Sequence, residues 1–374
     1  MTVLQIANDF CNTKVHSNLF KALDSLGVEQ TIYNAVRFAD KVGRNKFESQ
    51  HAKFIYRFIV KPWHKYFYHI KAKCVYTDLV HSINVADYQV VHASTLFTDG
   101  ILAYRLYKRH HLPYVVAVRG TDINGFLDHA PHTWIDGWKI LLNASKIVFI
   151  SRALCYKFKQ HRVIMPILNK IEHKIVIKAN GIDDFFLDNI CKQKHFGRKV
   201  IYIGNFSNNK NVIRTCEAVL KLRKIVGYED VTITLVGGGK EKDERIHTLI
   251  KNNPSAINYM GPIYEKEELV RILREHKLFV MASIHETFGL VYVEALSQNL
   301  PIIFTKGQGV DGMFDSTAGV AINPLDTDNI MEAVKTILDG NGNLSNKNIS
   351  FEDFIWSNIA RYYYELYQNV IENQ

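Results

Sequence analysis

The sequence predicts an α/β protein built from two doubly wound, Rossmann-like parallel sheets. Short apolar runs alternate with helix-like patterns along the whole chain, which is typical of parallel α/β folding. A length of 374 residues is more than one ordinary core needs and suits two domains. With 47% hydrophobic and 22% charged residues, the composition indicates a globular protein rather than a disordered one.

Strands are predicted in both halves of the chain. They lie near Val3–Ala7, Tyr88–His92, Tyr114–Val118, Ile147–Ile150, Lys199–Ile203, Thr232–Val236, Leu278–Met281 and Ile302–Phe304. KIVIKANGIDD (174–184) ends a strand in an Asn-Gly turn before a polar segment, which indicates a domain boundary. We therefore predict an N-terminal domain over 1–180, a C-terminal domain over 181–350 and a closing amphipathic helix over 351–374. Ligands of such sheets bind beyond the carboxyl ends of the strands, so a site between the two domains is expected.

Several classes of protein are disfavoured by composition. No window approaches the ~18 consecutive apolar residues that a membrane-spanning helix needs, and MTVLQIANDF resembles a first strand rather than a signal peptide. The cysteines are scattered and form no CxxC pair, at Cys11, Cys74, Cys155, Cys191 and Cys216. Free thiols in a reducing cytoplasm are the simplest interpretation, without a structural zinc or disulfides.

The net charge of +9 is confined to one half of the chain. Residues 1–180 contain 25 Lys and Arg against 12 Asp and Glu, whereas the remainder has 21 against 25. This asymmetry indicates an anionic partner for the first half, such as a membrane surface, a phosphate-bearing acceptor or nucleic acid.

Segment 41–73 is rich in both basic and aromatic residues. Apolar side chains recur at helical spacing at Phe54, Ile55, Phe58, Ile59, Trp63, Tyr66, Phe67 and Ile70, and a basic stripe follows at Lys53, Arg57, Lys61 and Lys65. One interpretation is an interfacial helix on an anionic membrane, bent at Pro62. The alternative is an ordinary helix that packs on the sheet and exposes its basic face.

The most informative segment is HETFGLVYVEALSQNLP (285–301), which follows the apolar run LFVMAS. Glu286 precedes the predicted start of a helix, where unpaired backbone N–H groups can hold a phosphate. Gly289 permits close approach of the backbone to a ligand. Glu294 lies in an apolar stripe and needs hydrogen-bond partners, which ribose hydroxyls would supply. The alternative is a capping glutamate followed by a core glutamate paired with Lys or Arg.

This E-x7-E pattern, together with seven other segments in register, resembles glycosyltransferase family 4. The other segments are DYQVVHAS (87–94), VRGTD (118–122), KANGID (178–183), VIYIGNFSNNKN (200–211), LVGGG (235–239), GPI (261–263) and FIWSNIARYYYELY (354–367). The resemblance implies the GT-B fold, with the last helix crossing back to the first domain. It also implies a retaining hexosyltransferase that uses a nucleotide diphosphate sugar, either UDP- or GDP-linked, in synthesis of bacterial cell-envelope or capsular polysaccharide.

By position, the resemblance implies a donor site in the second domain. The donor-binding residues are Gly204, Asn205, Lys210, Gly237, Gly238, Pro262, Ile263, Glu286, Thr287, Phe288, Gly289, Leu290 and Glu294. Glu294 would bind the ribose, Glu286 the sugar hydroxyls and Lys210 the diphosphate. No paired-aspartate metal site is present in the sequence, so we expect no metal, and fixed cations must stabilise the leaving group.

Two departures from the family pattern affect these expectations. Asn205 stands where the family has a basic residue, so another cation such as Lys240 or Arg119 must compensate. The first loop, NDFCNTKVHSN (8–18), lacks the family's glycines. Within it Thr13, Lys14 and His16 are predicted acceptor-binding residues, with a plain helix-start role as the alternative for His16.

The remaining predicted residues lie after strands of the first domain. Arg119 stands where many relatives carry a histidine; it stays protonated and can stabilise leaving-group charge rather than act as a base. With Glu286, it and Asp122 complete the predicted catalytic set. A turn-capping role for Asp122 and a structural role for the acceptor-binding candidate His92 are equally plausible.

The predicted partners are a nucleotide-sugar donor, a glycan, lipid-linked or anionic polymer acceptor and an anionic membrane surface, with no nucleic acid. The predicted location is cytoplasmic, at the inner face of the membrane. Three alternatives were weighed. A nicotinamide-dependent oxidoreductase lacks its G-x-G-x-x-G, and a nucleic-acid-binding module lacks a recognisable signature. A non-catalytic GT-B subunit paired with an active transferase keeps the fold but not the chemistry.

Overall fold

The short apolar runs form thirteen β-strands in the computed structural model, which describes residues 1–193, 195–239, 244–341 and 344–373. The strands are β1 (Thr2–Ile6), β2 (Glu29–Val36), β3 (Ala52–Phe58), β4 (Val90–Ala93), β5 (Tyr114–Val118), β6 (Lys146–Phe149), β7 (Ile175–Ile177), β8 (Lys199–Asn205), β9 (Thr232–Gly238), β10 (Ile257–Gly261), β11 (Leu278–Val280), β12 (Ile302–Thr305) and β13 (Gly319–Ile322). All eight predicted strand regions correspond to observed strands. Strands β2, β3, β10 and β13 were not predicted.

Helices separate most consecutive strands, as parallel pairing requires. The α-helices are α1 (Lys14–Ser25), α2 (Tyr68–Ser82), α3 (Gly100–His110), α4 (Trp134–Asn143), α5 (Arg152–Lys159), α6 (Leu168–Ile171), α7 (Asp184–Asp188), α8 (Val212–Leu222), α9 (Glu244–Asn252), α10 (Lys266–Arg274), α11 (Leu290–Ser297), α12 (Thr327–Leu338) and α13 (Trp356–Glu372). Short 3-10 turns occur at Phe10–Asn12, Ala39–Lys41, Pro62–Lys65, Val85–Asp87, Pro131–Thr133, Met165–Ile167, Glu172–Lys174, Asn208–Lys210 and Phe351–Phe354, and a π-helix at Asp122–Leu127.

The strands form two separate parallel sheets. The first has the order β3-β2-β1-β4-β5-β6-β7 and the second the order β10-β9-β8-β11-β12-β13. In each sheet the first strand lies between the second and the fourth, which is the doubly wound order of Rossmann-like folds. The predicted fold class, two Rossmann-like parallel sheets of the GT-B type, is confirmed.

The chain divides into two compact units that follow these sheets. The first comprises residues 1–150, 154–181 and 356–374, and the second residues 151–153 and 182–355. The last helix thus belongs to the first unit, where α13 packs against α1 through Phe20, Leu23, Ile359 and Tyr363. The closing segment is not one helix from residue 351, because Phe351–Phe354 is a 3-10 turn within the second unit.

Segment 41–73 differs from both predicted helical forms. Residues 52–58 form strand β3, paired in parallel with β2, and α2 begins only at Tyr68. Arg57 donates to Asp78 of α2 from Nε and Nη2 at 2.7–2.9 Å, so its charge is neutralised within the first unit. The predicted continuous basic stripe on one helix is therefore wrong.

Candidate functional site

The order of strands in the second, all-parallel sheet reverses between β8 and β11, which is its topological switch point. The chain leaves β8 toward β9 on one side, whereas β11 continues toward β12 on the other. Loops that follow two such neighbouring strands separate at the carboxyl edge, and ligands of open α/β sheets bind in the resulting crevice. The loop after β8 contains Lys210 and the loop after β11 contains Glu286.

Lys210 and Glu286 form a direct ion pair at this edge. Lys210 Nζ donates to Glu286 Oε2 at 2.5 Å, and the two side chains are only 21% and 11% exposed. The Glu286 carboxylate also accepts from Ser283 Oγ at 3.4 Å and from the backbone N–H of Thr287 at 3.2 Å. The two residues predicted for the diphosphate and the sugar thus lie side by side. A diphosphate that reaches Lys210 must share it with this carboxylate or displace the carboxylate toward another donor.

The loop that carries Glu286 is fixed by hydrogen bonds to residues that were not predicted as site residues. Asn209 donates from Nδ2 to His285 O and accepts the His285 N–H on Oδ1, at 2.9 and 3.0 Å. On the opposite side, Gln308 Oε1 accepts the Glu286 N–H at 3.3 Å, and Gly309 N donates to Glu286 O at 2.9 Å. These contacts join loops far apart in the chain, so no local pattern could have indicated them.

Two glycines at the loop permit this close packing. Gly289 has φ +84°, and a Cβ atom there would lie 2.6 Å from the Tyr292 ring. Gly309 has φ +55°, and a Cβ atom would lie 2.8 Å from both Glu286 Cγ and Phe288 O. Only a residue without a side chain tolerates both the positive φ and the contact. The backbone of Gly309 therefore packs directly against the Glu286 side chain.

Helix α11 starts immediately after Gly289 and carries Glu294. The Glu294 carboxylate has no hydrogen-bond partner in the part of the chain that the structure describes. Burial raises the pKa of Glu294 to about 7, and the nearby Asp183 carboxylate adds to this rise. The predicted alternative of a core glutamate paired with Lys or Arg is not found among those residues. Within the same segment Phe288 is buried and packs on Phe354, so only its backbone can approach a ligand.

Six predicted donor-binding residues line one cavity of about 910 Å³ at the ends of β8, β9 and β10. They are Gly204, Asn205, Gly237, Gly238, Pro262 and Ile263. Gly237 has φ +126°, and a Cβ atom there would lie 1.9 Å from Gly204 O, so the two strands meet too closely for a side chain. The aromatic Tyr259 and Tyr264 also line the cavity and were not predicted.

Asn205 supplies no charge to this cavity. Its Oδ1 accepts from Ser207 Oγ at 2.9 Å, which orients the amide along the loop. Lys240, one of the two cations proposed to compensate for Asn205, lies outside the described residues. The predicted compensation from Lys240 is therefore untested.

In the first unit, α1 begins at the corresponding carboxyl edge of the first sheet. Thr13 Oγ1 accepts the Val15 N–H at 3.2 Å and caps the helix, and Lys14 is exposed at its first position. His16 is buried, and its pKa is lowered well below the ordinary value by burial and then by Arg119 and His92. The loop before the helix buries Phe10 and Cys11 in place of the close backbone approach that glycines would allow.

His92 lies inside the first unit rather than at a binding surface. It is 1% exposed, and Tyr367 Oη of α13 is 2.7 Å from its Nδ1. Burial, with a smaller contribution from Arg119, lowers the pKa of His92 to about 3, so the ring is neutral. The geometry favours the structural alternative for His92, and its acceptor-binding role stays a prediction.

Asp122 is buried in the first unit and accepts hydrogen bonds from three backbone N–H groups. Its buried carboxylate accepts the N–H groups of Leu96, Phe97 and Arg119 at 3.1, 3.2 and 2.8 Å. Burial raises the pKa of Asp122 to about 6 against the opposing effect of these hydrogen bonds. These contacts favour the turn-capping alternative for Asp122, and its catalytic role stays a prediction. Arg119, whose Nε donates to Ser94 O at 3.1 Å, is positioned by this turn.

Among the described residues, no group of three or more His, Cys, Asp or Glu side chains is arranged to hold a metal ion. Metal independence of any reaction stays a prediction. None of the helices that the structure describes combines the length and apolar character needed to cross a bilayer.

One part of the second unit matches a known protein family. Residues 197–340 match the family model described as glycosyl transferases group 1. All thirteen predicted donor-binding residues lie within this matched region, which contains the Lys210–Glu286 pair, Glu294 and the cavity.

Several proteins with named activities are similar to this chain. The chain is 26% identical over 169 residues to glycogen synthase of Mycobacterium tuberculosis, a match that covers 44% of this chain and 40% of that enzyme. It is 21% identical over 257 residues to a Bacillus subtilis glycosyltransferase named for teichuronic acid biosynthesis, covering 66% and 60%. Sucrose-phosphate synthase of Thermosynechococcus elongatus has the same fold over 100% of both chains, with a TM-score of 0.71 and 16% identity.

Proposed function

We propose that this protein is a retaining hexosyltransferase that moves a sugar from a UDP- or GDP-linked donor to a glycan or lipid-linked acceptor. The observation that carries the proposal is the Lys210–Glu286 pair at the switch point of the second sheet. It provides one cation and one carboxylate, both largely shielded from water, at the edge where Rossmann-like sheets bind phosphates.

The donor is proposed to lie along the carboxyl edge of β10, β9, β8 and β11. The glycine-lined cavity at β8 to β10 would take the base, with Tyr259 as an aromatic surface. Glu294 would accept ribose hydroxyls, which supply the partners that its carboxylate lacks among the described residues. Lys210 would contact the diphosphate and Glu286 the sugar hydroxyls.

In the proposed reaction, the acceptor oxygen forms a bond to the anomeric carbon as the bond to the diphosphate oxygen breaks. The acceptor proton passes to the departing phosphate oxygen on the same face of the sugar, so the configuration is retained. The nucleoside diphosphate leaves with the bonding electron pair. An ammonium ~4 Å from a phosphate oxygen contributes roughly 4 kcal/mol at an effective dielectric near 20. We propose that Lys210 makes this contribution without a metal, and that Arg119 remains a candidate second cation.

The acceptor is proposed to be anionic and to belong to cell-envelope polysaccharide synthesis at the cytoplasmic face of the membrane. The excess of basic residues in 1–180 favours a negatively charged acceptor. The relative named for teichuronic acid biosynthesis suggests the same class of polymer.

A membrane-facing surface is proposed at the start of α2, in place of the predicted helix over 41–73. Trp63, Tyr66, Phe67 and Ile70 are 47–69% exposed there, and Lys61 and Lys65 contact the Phe58 and Tyr66 rings at 5.7 and 4.6 Å. Exposed aromatic and basic side chains together suit an anionic bilayer surface. We expect Trp63→Ser with Phe67→Ser to reduce co-sedimentation with phosphatidylglycerol vesicles, whereas Tyr264→Ser, at an 83% exposed aromatic of the second unit, should not. Equal loss in both variants would contradict this surface.

The proposed activity is tested by incubating the purified protein with a panel of UDP- and GDP-sugars and measuring release of UDP or GDP. We expect turnover or slow donor hydrolysis with one donor. Both should be lost in Glu286→Gln, whose amide lacks the negative charge and the second acceptor oxygen of the carboxylate. A thermal shift with UDP or GDP should persist in the Glu286→Gln protein, because the cavity and Glu294 remain. No nucleotide-dependent shift and no turnover with any donor would reject the transferase proposal.

Asn205 favours a second candidate, a non-catalytic subunit that pairs with an active transferase. The cavity carries an amide where a cation would hold the donor phosphates, and that amide is engaged with Ser207. This candidate predicts a nucleotide-dependent thermal shift without turnover. Asn205→Arg should then increase nucleotide affinity, whereas an active enzyme needs no such change.

A further inference from the structure

A second cavity, of about 250 Å³, lies in the first unit at the carboxyl ends of β1 and β2. Its lining includes Asn8, Cys11, Arg37, Lys41, Val60 and Lys71. Arg37 follows directly after β2, Lys41 ends the next 3-10 turn, and Lys71 lies in the first turn of α2. Three cations from separate elements therefore line one small cavity at the binding edge of the sheet, while Lys210 and Glu286 belong to the other unit.

The positive charge of this cavity is not balanced by carboxylates. No ion pair among the described residues joins a carboxylate to Arg37, Lys41 or Lys71. Lys41 Nζ instead donates to the neutral amide oxygen of Asn12. The nearest buried acid, Asp99, accepts from Asn8 N and Nδ2 at 3.3 and 2.7 Å, and burial raises its pKa to about 7. That carboxyl is therefore only partly ionised at neutral pH and cannot offset three cations.

The positive charges at this cavity contribute to lowered pKa values of Lys71 and His64. The pKa of Lys71 is lowered, chiefly by burial and to a smaller extent by the Arg37 charge, against an opposing rise from the Asp99 carboxylate. The buried His64 has its pKa lowered by burial and then by Lys71, Lys61 and Arg37. Cations that repel one another at a half-buried position cost free energy, which a bound anion would recover.

We infer that this cavity binds a phosphate group of the acceptor, held by Arg37, Lys41 and Lys71. A phosphate can carry two negative charges, which suits three cations better than the single charge of a carboxylate. The planar guanidinium of Arg37 can donate two parallel hydrogen bonds, and the lysines act as point charges. The assignment of this phosphate to the acceptor rests on the proposed transferase function. Binding of phosphate at this cavity does not depend on that function.

The test measures binding of inorganic phosphate to the full chain by calorimetry at constant ionic strength. Lys71→Met keeps the apolar stem and removes the charge, and should raise the Kd by roughly ten- to hundredfold, as for loss of a hydrogen bond to a charged group. Lys73→Met is the matched control, because Lys73 is exposed on the same helix and does not line the cavity. Arg37→Gln should weaken binding to a similar extent. If that variant fails to fold, Lys71→Met decides alone.

Two further arms separate the source of the phosphate from the transferase proposal. Glycerol 3-phosphate in solution and vesicles that contain phosphatidic acid distinguish a water-soluble from a lipid-borne phosphomonoester, and binding of either at this cavity supports the inference. Phosphate affinity that is equal in the parent, Lys71→Met and Lys73→Met overturns it, as does equal loss in both lysine variants. The UDP-dependent thermal shift should be unchanged in Lys71→Met, so failure here is distinguishable from failure of the donor site.

Discussion

Lys210→Met is expected to lower kcat for sugar transfer by about 10²–10³, the usual cost of removing one preorganised group that stabilises developing negative charge. Negative charge develops on the diphosphate oxygen as its bond to the anomeric carbon breaks. Lys210 is the cation that lies beside Glu286, at 2.5 Å. The KM for the donor should rise as well, because the lysine also contacts the diphosphate in the ground state. Steady-state release of UDP or GDP, at several donor concentrations, measures both effects.

Loss of the lysine also leaves a largely buried carboxylate without its cation, so stability must be separated from catalysis. We expect Lys210→Met alone to lose about 1–3 kcal/mol of unfolding free energy, the cost of an unsatisfied buried polar group. The double variant Lys210→Met/Glu286→Gln should recover most of that stability and none of the activity. Activity that returns together with stability in the double variant would show that the pair is only structural.

The matched control for Lys210 is Lys221→Met. Lys221 lies in α8, a few turns along the same connection, and pairs with Asp328 at the surface with both side chains more than half exposed. Exposed pairs contribute about 0–1 kcal/mol, so neither kcat nor stability should change much. A kcat for Lys210→Met within about threefold of the Lys221→Met value, against the 10²–10³ expected, would remove Lys210 from the mechanism.

Most strands could be predicted from short apolar runs. The strands that were not predicted show where a hydrophobicity pattern fails to indicate a strand. Strand β2 buries Gln30, Thr31 and Asn34, so its polar residues hide the strand from a hydrophobicity pattern. Two of those side chains bond to residues that are distant in sequence: Gln30 accepts from Gln5 Nε2 at 3.0 Å, and Asn34 donates to Ala7 O at 2.9 Å. The partners lie on β1 and its following loop, more than twenty residues away.

The error over residues 41–73 has a geometric cause. Residues four apart lie on one face both in a helix and in a strand, because four is close to one helical turn and is twice the strand period. The spacing of Phe54 and Phe58, or of Lys53 and Arg57, therefore cannot distinguish the two structures. Pairing of β3 with β2 decided the outcome.

In the site too, some residues could be predicted from local sequence, whereas the roles of others depend on tertiary contacts. Glu286, Gly289 and Glu294 could be predicted as a group because they belong to one loop and helix. The roles of His92 and Asp122 could not, because each choice between contacting a ligand and holding the protein depended on burial. Tyr367 closes over His92, and three backbone N–H groups occupy Asp122. A histidine or aspartate after a strand is locally the same in either case.

Glu294→Gln is expected to weaken binding of UDP or GDP by roughly ten- to hundredfold, as for loss of hydrogen bonds to a charged acceptor. The same change should stabilise the nucleotide-free protein at alkaline pH. Both effects have one cause: burial raises the pKa of Glu294 to about 7, so a carboxylate that suits ribose hydroxyls is unfavourable without them.

The sign of the pH dependence follows from that shift. The pKa of Glu294 rises from 4.5 to about 7 on folding, so the folded chain holds this proton more tightly. Its contribution to stability is fully present below the lower value and is lost as the pH rises through about 7. Glutamine has no such loss, so the melting temperature of Glu294→Gln relative to the parent should increase across this range. Nucleotide affinity of the parent should rise over the same range as the carboxylate forms, whereas that of Glu294→Gln should stay level.

Thermal unfolding and nucleotide titrations at about pH 5.5 and about pH 8.5, on either side of the folded pKa, measure both effects. Glu217→Gln is the matched control, because Glu217 is exposed on α8 and should change neither quantity. Parallel pH curves for the parent and Glu294→Gln, with equal nucleotide affinity, would show that the Glu294 carboxylate does not meet the ribose. The carboxylate would then be a buried acid that the fold tolerates, and the donor would have to bind without it.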